Sequence, residues 1–177
     1  DAWIKQQLGQ DYDANGDWAS SGQTIPSLLA RLLQEDFFAA PPPKSTGRDL
    51  FNLTWLEENL QAVASFNPAM PAQDVAHTLV DLSAESVCAA LKTHCPAVDE
   101  VYLCGGGAHN HLLVKKLQTL LGPIPCKLTD SLGIGVDWVE AIAFAWLAKQ
   151  CLDKKTANLA AVTGASGARI LGAIYQH

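Results

Sequence analysis

The segment Val101-Tyr-Leu-Cys-Gly-Gly-Gly-Ala-His-Asn110 carries the strongest structural signal in this sequence. Residues 101–104 are apolar or aromatic, and they lie between two acidic residues and a glycine, which predicts a short buried strand. Leucines recur at the spacing of one helix face over residues 111–121, and Asn110 is a suitable N-cap for that helix. The pattern predicts a strand, a turn of three glycines and an amphipathic helix.

The triple-glycine turn has two interpretations. Because Gly105, Gly106 and Gly107 have no Cβ, the backbone can approach a flat or anionic ligand, and the free N–H groups of the following helix face the same space. The turn matches neither the dinucleotide pattern G-x-G-x-x-G nor the phosphate-binding loop that ends in Gly-Lys-Ser/Thr. The structural alternative is a turn that needs a positive φ at one or two positions. The local sequence leaves both interpretations open.

Composition narrows the class of protein. The 177 residues are 49% hydrophobic and 17% charged, which suits one domain or one lobe of a larger protein. The net charge is −6, and no more than two Lys or Arg residues are adjacent, so neither nucleic acid nor a membrane is an expected partner. Five cysteines without a C-x-x-C pattern predict reduced thiols and argue against a zinc site. The helical pattern already begins at Asp1, which favours a segment upstream of it.

A polar loop follows the first helix. Its start, Asp11-Tyr-Asp-Ala-Asn-Gly16, resembles the first half of a calcium loop, with oxygen ligands at positions 1, 3 and 5. Position 12 of such a loop needs a bidentate glutamate, and Gly22 stands there. Asx turns in a surface loop are the better explanation, and no metal site is predicted.

A second polar segment, Lys44-Ser-Thr-Gly-Arg48, follows three prolines. Lys44, Ser45 and Arg48 supply two cations and a hydroxyl within five residues, as a loop that contacts a nucleotide would. The alternative is an ordinary capped start of the next helix, for which the loop serves as an anchor. The sequence favours neither.

Glu140 lies in the opening turns of the most hydrophobic predicted helix, residues 136–150. It shares a face with Phe144 and Leu147, and a carboxylate on an otherwise apolar face is unusual. One interpretation is compensation of the helix macrodipole, worth about 0.3–1 kcal/mol. The other is a carboxylate that reaches into a cleft and accepts hydrogen bonds from ligand hydroxyl groups.

The remaining patterns predict further elements. Pro68 and Pro71 mark a break before the long helix, and His77 on that helix has no partner at ligand spacing and is assigned a structural role. The last apolar run of the tail predicts a terminal strand or an extended segment. The predicted helices cover residues 1–8, 25–34, 53–60 and 72–91, and a second short strand covers 124–128.

Five segments together resemble the anhydro-N-acetylmuramic acid kinase family, and the resemblance covers nearly the whole chain. They are Asp1-Ala-Trp-Ile, Pro42-Pro-Lys-Ser-Thr-Gly-Arg48, Gly105-Gly-Gly-Ala-His-Asn110, Asp137-Trp-Val-Glu-Ala-Ile-Ala-Phe-Ala-Trp-Leu-Ala148, and Val162-Thr-Gly-Ala-Ser with Leu171-Gly-Ala-Ile-Tyr175. Asp49 stands where a glutamate is usual, and His109 occupies a variable place.

The resemblance implies an α/β fold of the actin-like ATPase (ribonuclease H-like) superfamily, helix-rich with a small mixed sheet, in which two lobes close over a cleft. It implies that residues 1–177 form a single C-terminal lobe, the adenosine-binding side, and that the N-terminal lobe is absent. The implied reaction opens 1,6-anhydro-N-acetylmuramic acid hydrolytically and phosphorylates it to N-acetylmuramic acid 6-phosphate. ATP and Mg²⁺ are the implied cofactors, the bacterial cytoplasm the implied location, and a homodimer the implied assembly.

Carried onto this sequence, the resemblance assigns Gly105, Gly106, Gly107, Ala108 and Asn110 to nucleotide binding, and Glu140 to substrate binding. It also implies that the phosphate loop and the aspartate that acts as general base lie upstream of Asp1, so this chain alone is expected to be inactive. The rival hypothesis is a non-catalytic module for nucleotide binding or dimerisation.

Overall fold

The computed structural model describes residues 1–64 and 70–175 of the chain. Its first six helices are α1 Ala2–Leu8, α2 Asp17–Ser20, α3 Pro26–Leu32, α4 Asp36–Ala39, α5 Leu53–Ala64 and α6 Ala72–His94. Strand β1 Val101–Leu103, helix α7 His111–Leu121 and strand β2 Cys126–Leu128 follow, and helices α8 Val139–Leu152 and α9 Ala160–Thr163 end the chain. Short 3₁₀ turns cover Ala14–Gly16, Gly106–His109 and Thr129–Leu132. The helix-rich α/β class predicted from the sequence is confirmed.

The sheet is small, as predicted, but its strands pair differently from the prediction. Strands β1 and β2 pair in parallel, with Val101 opposite Cys126 and Leu103 opposite Leu128. The expectation of a mixed sheet is wrong for the described residues, which contain this one parallel pair. Helix α7 forms the crossover between the two strands, as a parallel connection requires. The residues of β1 are half-buried rather than buried.

Helix α6 is the central element of the fold. Its 23 residues extend about 35 Å at 1.5 Å per residue. Near its start, Val75 and Leu82 join a core cluster with α3 and α5, in which Leu28 and Leu32 are almost fully buried. Pro71 precedes the first residue of α6 as predicted, whereas Pro68 lies outside the described residues.

The second core cluster places α7 against α6. Ala84 and Cys88 of α6 pack against Leu117 and Leu121 of α7, and residues of both strands lie around them. The leucine pattern read from the sequence therefore marks the buried face of α7. This packing fixes the helix that follows the three glycines, and with it the position of the glycine turn.

The described residues in the C-terminal quarter of the chain are less buried than those in the two core clusters. Among the described residues, none of the 14 in α8 is buried. The tail forms the short helix α9 and then extended chain, where the backbone N–H of Ala157 donates to the carbonyl of Arg169 at 3.1 Å. Of the two forms predicted for the last apolar run, the extended segment is observed.

Candidate functional site

The glycine corner, defined as Gly105–Gly107, follows directly from β1. Gly105 has φ of 73°, and its N–H donates to the carbonyl of Val136 at 2.9 Å. Gly106 and Gly107 begin a 3₁₀ turn that ends at His109. One of the three glycines therefore requires a positive φ, within the one or two positions that the sequence predicted.

The backbone conformation does not require glycine at the other two positions, Gly106 and Gly107. A Cβ built on Gly106 meets no atom of the described chain within 4 Å, and one on Gly107 reaches only Leu113 Cδ2 at 3.6 Å, an ordinary contact. Both residues are exposed. The folded chain would thus tolerate side chains at these two positions. The packing of the chain does not require the open space beside them, and we assign this space to the candidate site.

Two neighbours hold the glycine corner in place. Ala108 is buried beneath it. Asn110 caps α7, because its side-chain Oδ1 accepts a hydrogen bond from the N–H of Leu113 at 2.9 Å. The N-cap predicted from the sequence is confirmed. The start of α7 and the glycine corner consequently form one connected unit.

Two residues of the glycine corner, Gly106 and Gly107, line a cavity of about 850 Å³, whereas Gly105 and Ala108 do not line it. Gly106, Gly107 and Asn110 lie on one side of it, and residues of α6, including Leu79 and Val80, contribute apolar surface. This volume lies within the range of about 300–1,000 Å³ typical of small-molecule sites, which combine apolar surface with a few polar groups. Three of the five predicted nucleotide residues thus border a space large enough for a nucleoside, and their role in nucleotide binding stays a prediction.

A second part of the cavity lining comes from the polar loop that the sequence predicted to lie on the surface. Residues Asp11–Asn15, called the far wall below, line the cavity together with Asp1. Tyr12 is 66% exposed, so its ring is available to a ligand. This contribution cannot be predicted from the sequence, because no local pattern indicates that residues 11–15 and residues 106–110 line the same cavity.

The resemblance of this loop to a calcium site is not supported by its hydrogen bonds. The two carboxylate oxygens of Asp13 accept from the N–H groups of Trp18 and Ala19, both at 2.9 Å. Asp13 therefore satisfies N–H groups in the first turn of α2 through bonds that reach five and six residues along the chain, which is farther than the Asx turns that the sequence favoured. Residues 1–64 and 70–175 contain no group of three or more His, Cys, Asp or Glu side chains that could hold a metal ion.

His109 links the glycine corner to the segment before α8. Its Nε2 lies 2.9 Å from Oδ1 of Asp137, and both side chains are exposed. His109 also lines the cavity. The pair connects two of the segments that carry the family resemblance.

The loop from Lys44 to Arg48 lies elsewhere and does not line this cavity. The Lys44 ammonium donates to the carbonyls of Phe37 and Phe38, at 2.7 and 2.9 Å, and lies 4.8 Å from the centre of the Phe37 ring. Ser45 and Arg48 are exposed. The contacts of Lys44 are those of an anchor, and a nucleotide role for the loop stays a prediction.

Glu140 lies in the first turn of α8, where the sequence placed it. Glu140 is exposed and does not line the cavity of the glycine corner. The apolar face around Glu140 is not buried in this chain, since Phe144 on the same face is 65% exposed. Its position is compatible with macrodipole compensation. Its contact with substrate stays a prediction.

These features are those of an α/β protein with a ligand-sized cavity beside a glycine turn. Residues 1–177 match a family model described as anhydro-N-acetylmuramic acid kinase. This chain therefore belongs to the anhydro-N-acetylmuramic acid kinase family.

Relatives with that name cover almost all of this chain. The one from Nitrosomonas europaea is 50% identical over 175 residues, which are 99% of this chain and 47% of the relative. Those from Coxiella burnetii (strain Dugway 5J108-111) and Pseudomonas fluorescens are 49% and 48% identical, again over 99% of this chain and 46% and 47% of the relative. The chain spans about half the length of these relatives.

No helix among the described residues is long and apolar enough to span a bilayer.

Proposed function

We propose that this chain is the adenosine-binding half of an ATP-dependent kinase that converts 1,6-anhydro-N-acetylmuramic acid to N-acetylmuramic acid 6-phosphate. The observation that carries the proposal is the cavity of about 850 Å³ beside Gly106 and Gly107, two glycines whose missing side chains the fold itself does not require. Family membership supports the reaction, and the geometry supports the nucleotide-binding part of it. In this proposal the lobe has the actin-like fold and works in the recycling of cell-wall sugars in the bacterial cytoplasm.

This chain contributes to the reaction by binding and orienting the nucleotide. Gly105, Gly106, Gly107, Ala108 and Asn110 hold the adenosine end of ATP. The exposed backbone at Gly106 and Gly107 offers close approach to a flat base, and the apolar surface of α6 excludes water from one side of it. Phosphoryl transfer depends on the position of the γ-phosphate relative to the attacking sugar oxygen, so a fixed adenosine contributes directly to the rate.

The groups that act on the transferred phosphate belong, in this proposal, to the other half of the enzyme. There, an aspartate takes the proton from the water that opens the anhydro bridge, and the freed 6-oxygen attacks the γ-phosphorus while ADP leaves. Mg²⁺ accompanies ATP mainly through phosphate oxygens and water. No metal ligand is assigned on this chain.

The test is a graded substitution at Gly106. Side chains of increasing size, Gly106→Ala and then Gly106→Val, extend into open space, so we expect stepwise weaker ADP binding by isothermal titration calorimetry. The thermal unfolding temperature should stay nearly constant. Ala89→Val is the matched control, since Ala89 is exposed on α6 and does not line the cavity. Equal ADP affinity across the series would contradict the proposal.

A specific observation supports the rival, a dimerisation module. Helix α8 exposes Ile142, Phe144 and Trp146, and Trp138 directly before it is exposed as well, each by at least half. Sedimentation velocity of the 177-residue chain, with and without ADP, separates the two functions. A concentration-dependent dimer that does not bind millimolar ADP would favour the rival.

The proposed role of Glu140 needs the full-length enzyme. Glu140→Gln should raise KM for the sugar and leave ADP affinity unchanged, because the substitution removes an acceptor for sugar hydroxyls and lies outside the nucleotide cavity. Unchanged sugar kinetics would leave only the macrodipole role.

A further inference from the structure

We propose that Gly16 is a positioning residue for the nucleotide cavity, because Gly16, the residue that follows the far wall, packs against the Asn110 side chain and so fixes the glycine corner. This inference rests on the proposed function. Gly16 lies about 90 positions before the glycine corner in the sequence.

The contact between Gly16 and Asn110 leaves no room for a side chain. Gly16 is buried and has φ of 75°. A Cβ built on it would overlap Oδ1 of Asn110 and would lie 2.8 Å from Cγ and 3.1 Å from Nδ2. Real Cβ atoms essentially never come within 3.0 Å of another heavy atom, so one of the two residues would have to move.

Neither side of this contact moves freely. The Asn110 amide is held by its hydrogen bond to the N–H of Leu113 at the start of α7. On the other side, the N–H of Gly16 donates to the carbonyl of Asp13 at 3.2 Å. The Asp13 carboxylate is itself bonded to the first turn of α2, where Ala19 is buried. A methyl group at position 16 would therefore displace the Asn110 side chain, the first turn of α7 and the glycine corner that precedes it.

The chain offers a matched control at Gly9. Gly9 has φ of 71°, close to that of Gly16, and a Cβ built on it meets nothing within 4 Å in the described chain. Gly9→Ala and Gly16→Ala therefore incur the same backbone cost for an L-residue in the left-handed region. Only Gly16→Ala adds the overlap with Asn110. Gly9 does not line the cavity.

Two measurements test the proposal. In ¹H–¹⁵N NMR spectra of the 177-residue chain, Gly16→Ala should shift the amide signals of Gly106 and Gly107, and Gly9→Ala should not. In ADP titrations, Gly16→Ala should weaken binding by tenfold or more, because the displaced glycine corner no longer matches the shape of the ligand. Gly9→Ala should bind ADP within about twofold of the wild type, because it changes no contact at the cavity.

A double-mutant cycle separates positioning from general destabilisation. Asn110→Ser keeps a capping oxygen but shortens the side chain, so Gly16→Ala should weaken ADP binding less in the Asn110→Ser background than in the wild type. If Gly16→Ala alone does not fold, the comparison between Asn110→Ser and the double variant still measures the effect of Gly16→Ala on ADP binding. ADP binding ten times weaker in the double variant than in Asn110→Ser would overturn the proposal.

The outcomes distinguish the inference from the proposed function. Unshifted Gly106 and Gly107 signals in Gly16→Ala, or ADP affinity equal to that of Gly9→Ala, would overturn the inference and leave nucleotide binding intact. A wild-type chain that does not bind ADP would overturn both the proposed function and the role of Gly16 in it.

Discussion

At the level of single residues, the Asn110 side chain connects local and long-range structure. Its Oδ1 caps α7, and its amide group lies against Gly16. Asn110→Ala should lower the free energy of unfolding by about 1 kcal/mol through the lost cap, measured by urea denaturation. Asn110→Asp keeps a capping oxygen and should lose less than half of that. Equal stability of the Ala variant and the wild type would show that the cap contributes nothing.

Residues whose role depends on neighbours in sequence were predictable, and residues whose role depends on distant partners were not. Asn110 was identified because a capping side chain acts on an N–H three residues later. The positive φ of Gly105 follows from its place between a strand and a helix. In contrast, Gly16 and the far wall acquire their role from α7, and Lys44 from carbonyl groups of Phe37 and Phe38. No local pattern contains those partners.

At the level of elements, Asp81 joins α6 to α7. Its carboxylate is 7% exposed, pairs with the Lys116 ammonium and accepts a hydrogen bond of 2.6 Å from the Thr24 hydroxyl. On the same helix, His77 Nδ1 lies 2.9 Å from the carbonyl oxygen of Ala19, and its Nε2 lies 3.8 Å from Asp81, which agrees with the structural role predicted for His77. Polar groups of α6 thus hold both α2 and α7 in place.

Removal of the Asp81 carboxylate should therefore be costly. Asp81→Ala leaves Lys116 and Thr24 without their acceptor, and we expect a loss of about 2–3 kcal/mol in the free energy of unfolding. Asp153→Ala is the control, since Asp153 pairs with Lys149 and Lys155 at the surface and should cost less than about 1 kcal/mol. Equal losses in urea denaturation would contradict the assignment of Asp81 as the link between the helices.

The packing of α6 on α7 also controls thiol reactivity. Burial raises the pKa of the Cys88 thiol, an effect that nearby Lys92 partly opposes, and burial likewise raises the pKa of Cys126. Because the thiolate is the reactive form, iodoacetamide should modify exposed Cys95 and Cys104 well before Cys88, as followed by mass spectrometry. Cys88 modified as fast as Cys95 in the native chain would contradict this packing.

The raised pKa of Cys88 also predicts how stability depends on pH. The folded state holds the thiol proton more tightly than the unfolded state does. The resulting stabilisation is complete below the unfolded pKa, about 8.5, and is lost as the pH rises through the folded value. The free energy of unfolding should therefore fall above that pH, and Cys88→Ala should reduce the fall. An identical pH profile in Cys88→Ala would assign the loss to other groups.

At the level of the whole molecule, the strength of a hydrophobic pattern did not determine where burial occurs. The pattern of α7 indicated its buried face correctly, because α6 and the two strands cover that face. Helix α8 is more hydrophobic in composition than α7, yet none of its residues is buried in this chain. A hydrophobic helix surface favours burial. Which element packs on that surface depends on the other elements that are present. The chain spans about half the length of its relatives.

This difference leads to a prediction about α8. Phe144 is 65% exposed, whereas Leu28 in the first core cluster is 0% exposed. In the 177-residue chain, Phe144→Ala should change the free energy of unfolding by less than about 0.5 kcal/mol, and Leu28→Ala should cost about 2–5 kcal/mol. In a full-length enzyme of this family, we expect the other half of the protein to cover α8, so Phe144→Ala should there cost about 3–5 kcal/mol. Urea denaturation of both variants in both lengths measures the difference. The alternative is that a second copy of the chain covers α8. In that case Phe144→Ala should have no effect in the full-length enzyme. The stability of the 177-residue chain should then rise with protein concentration and fall on this substitution.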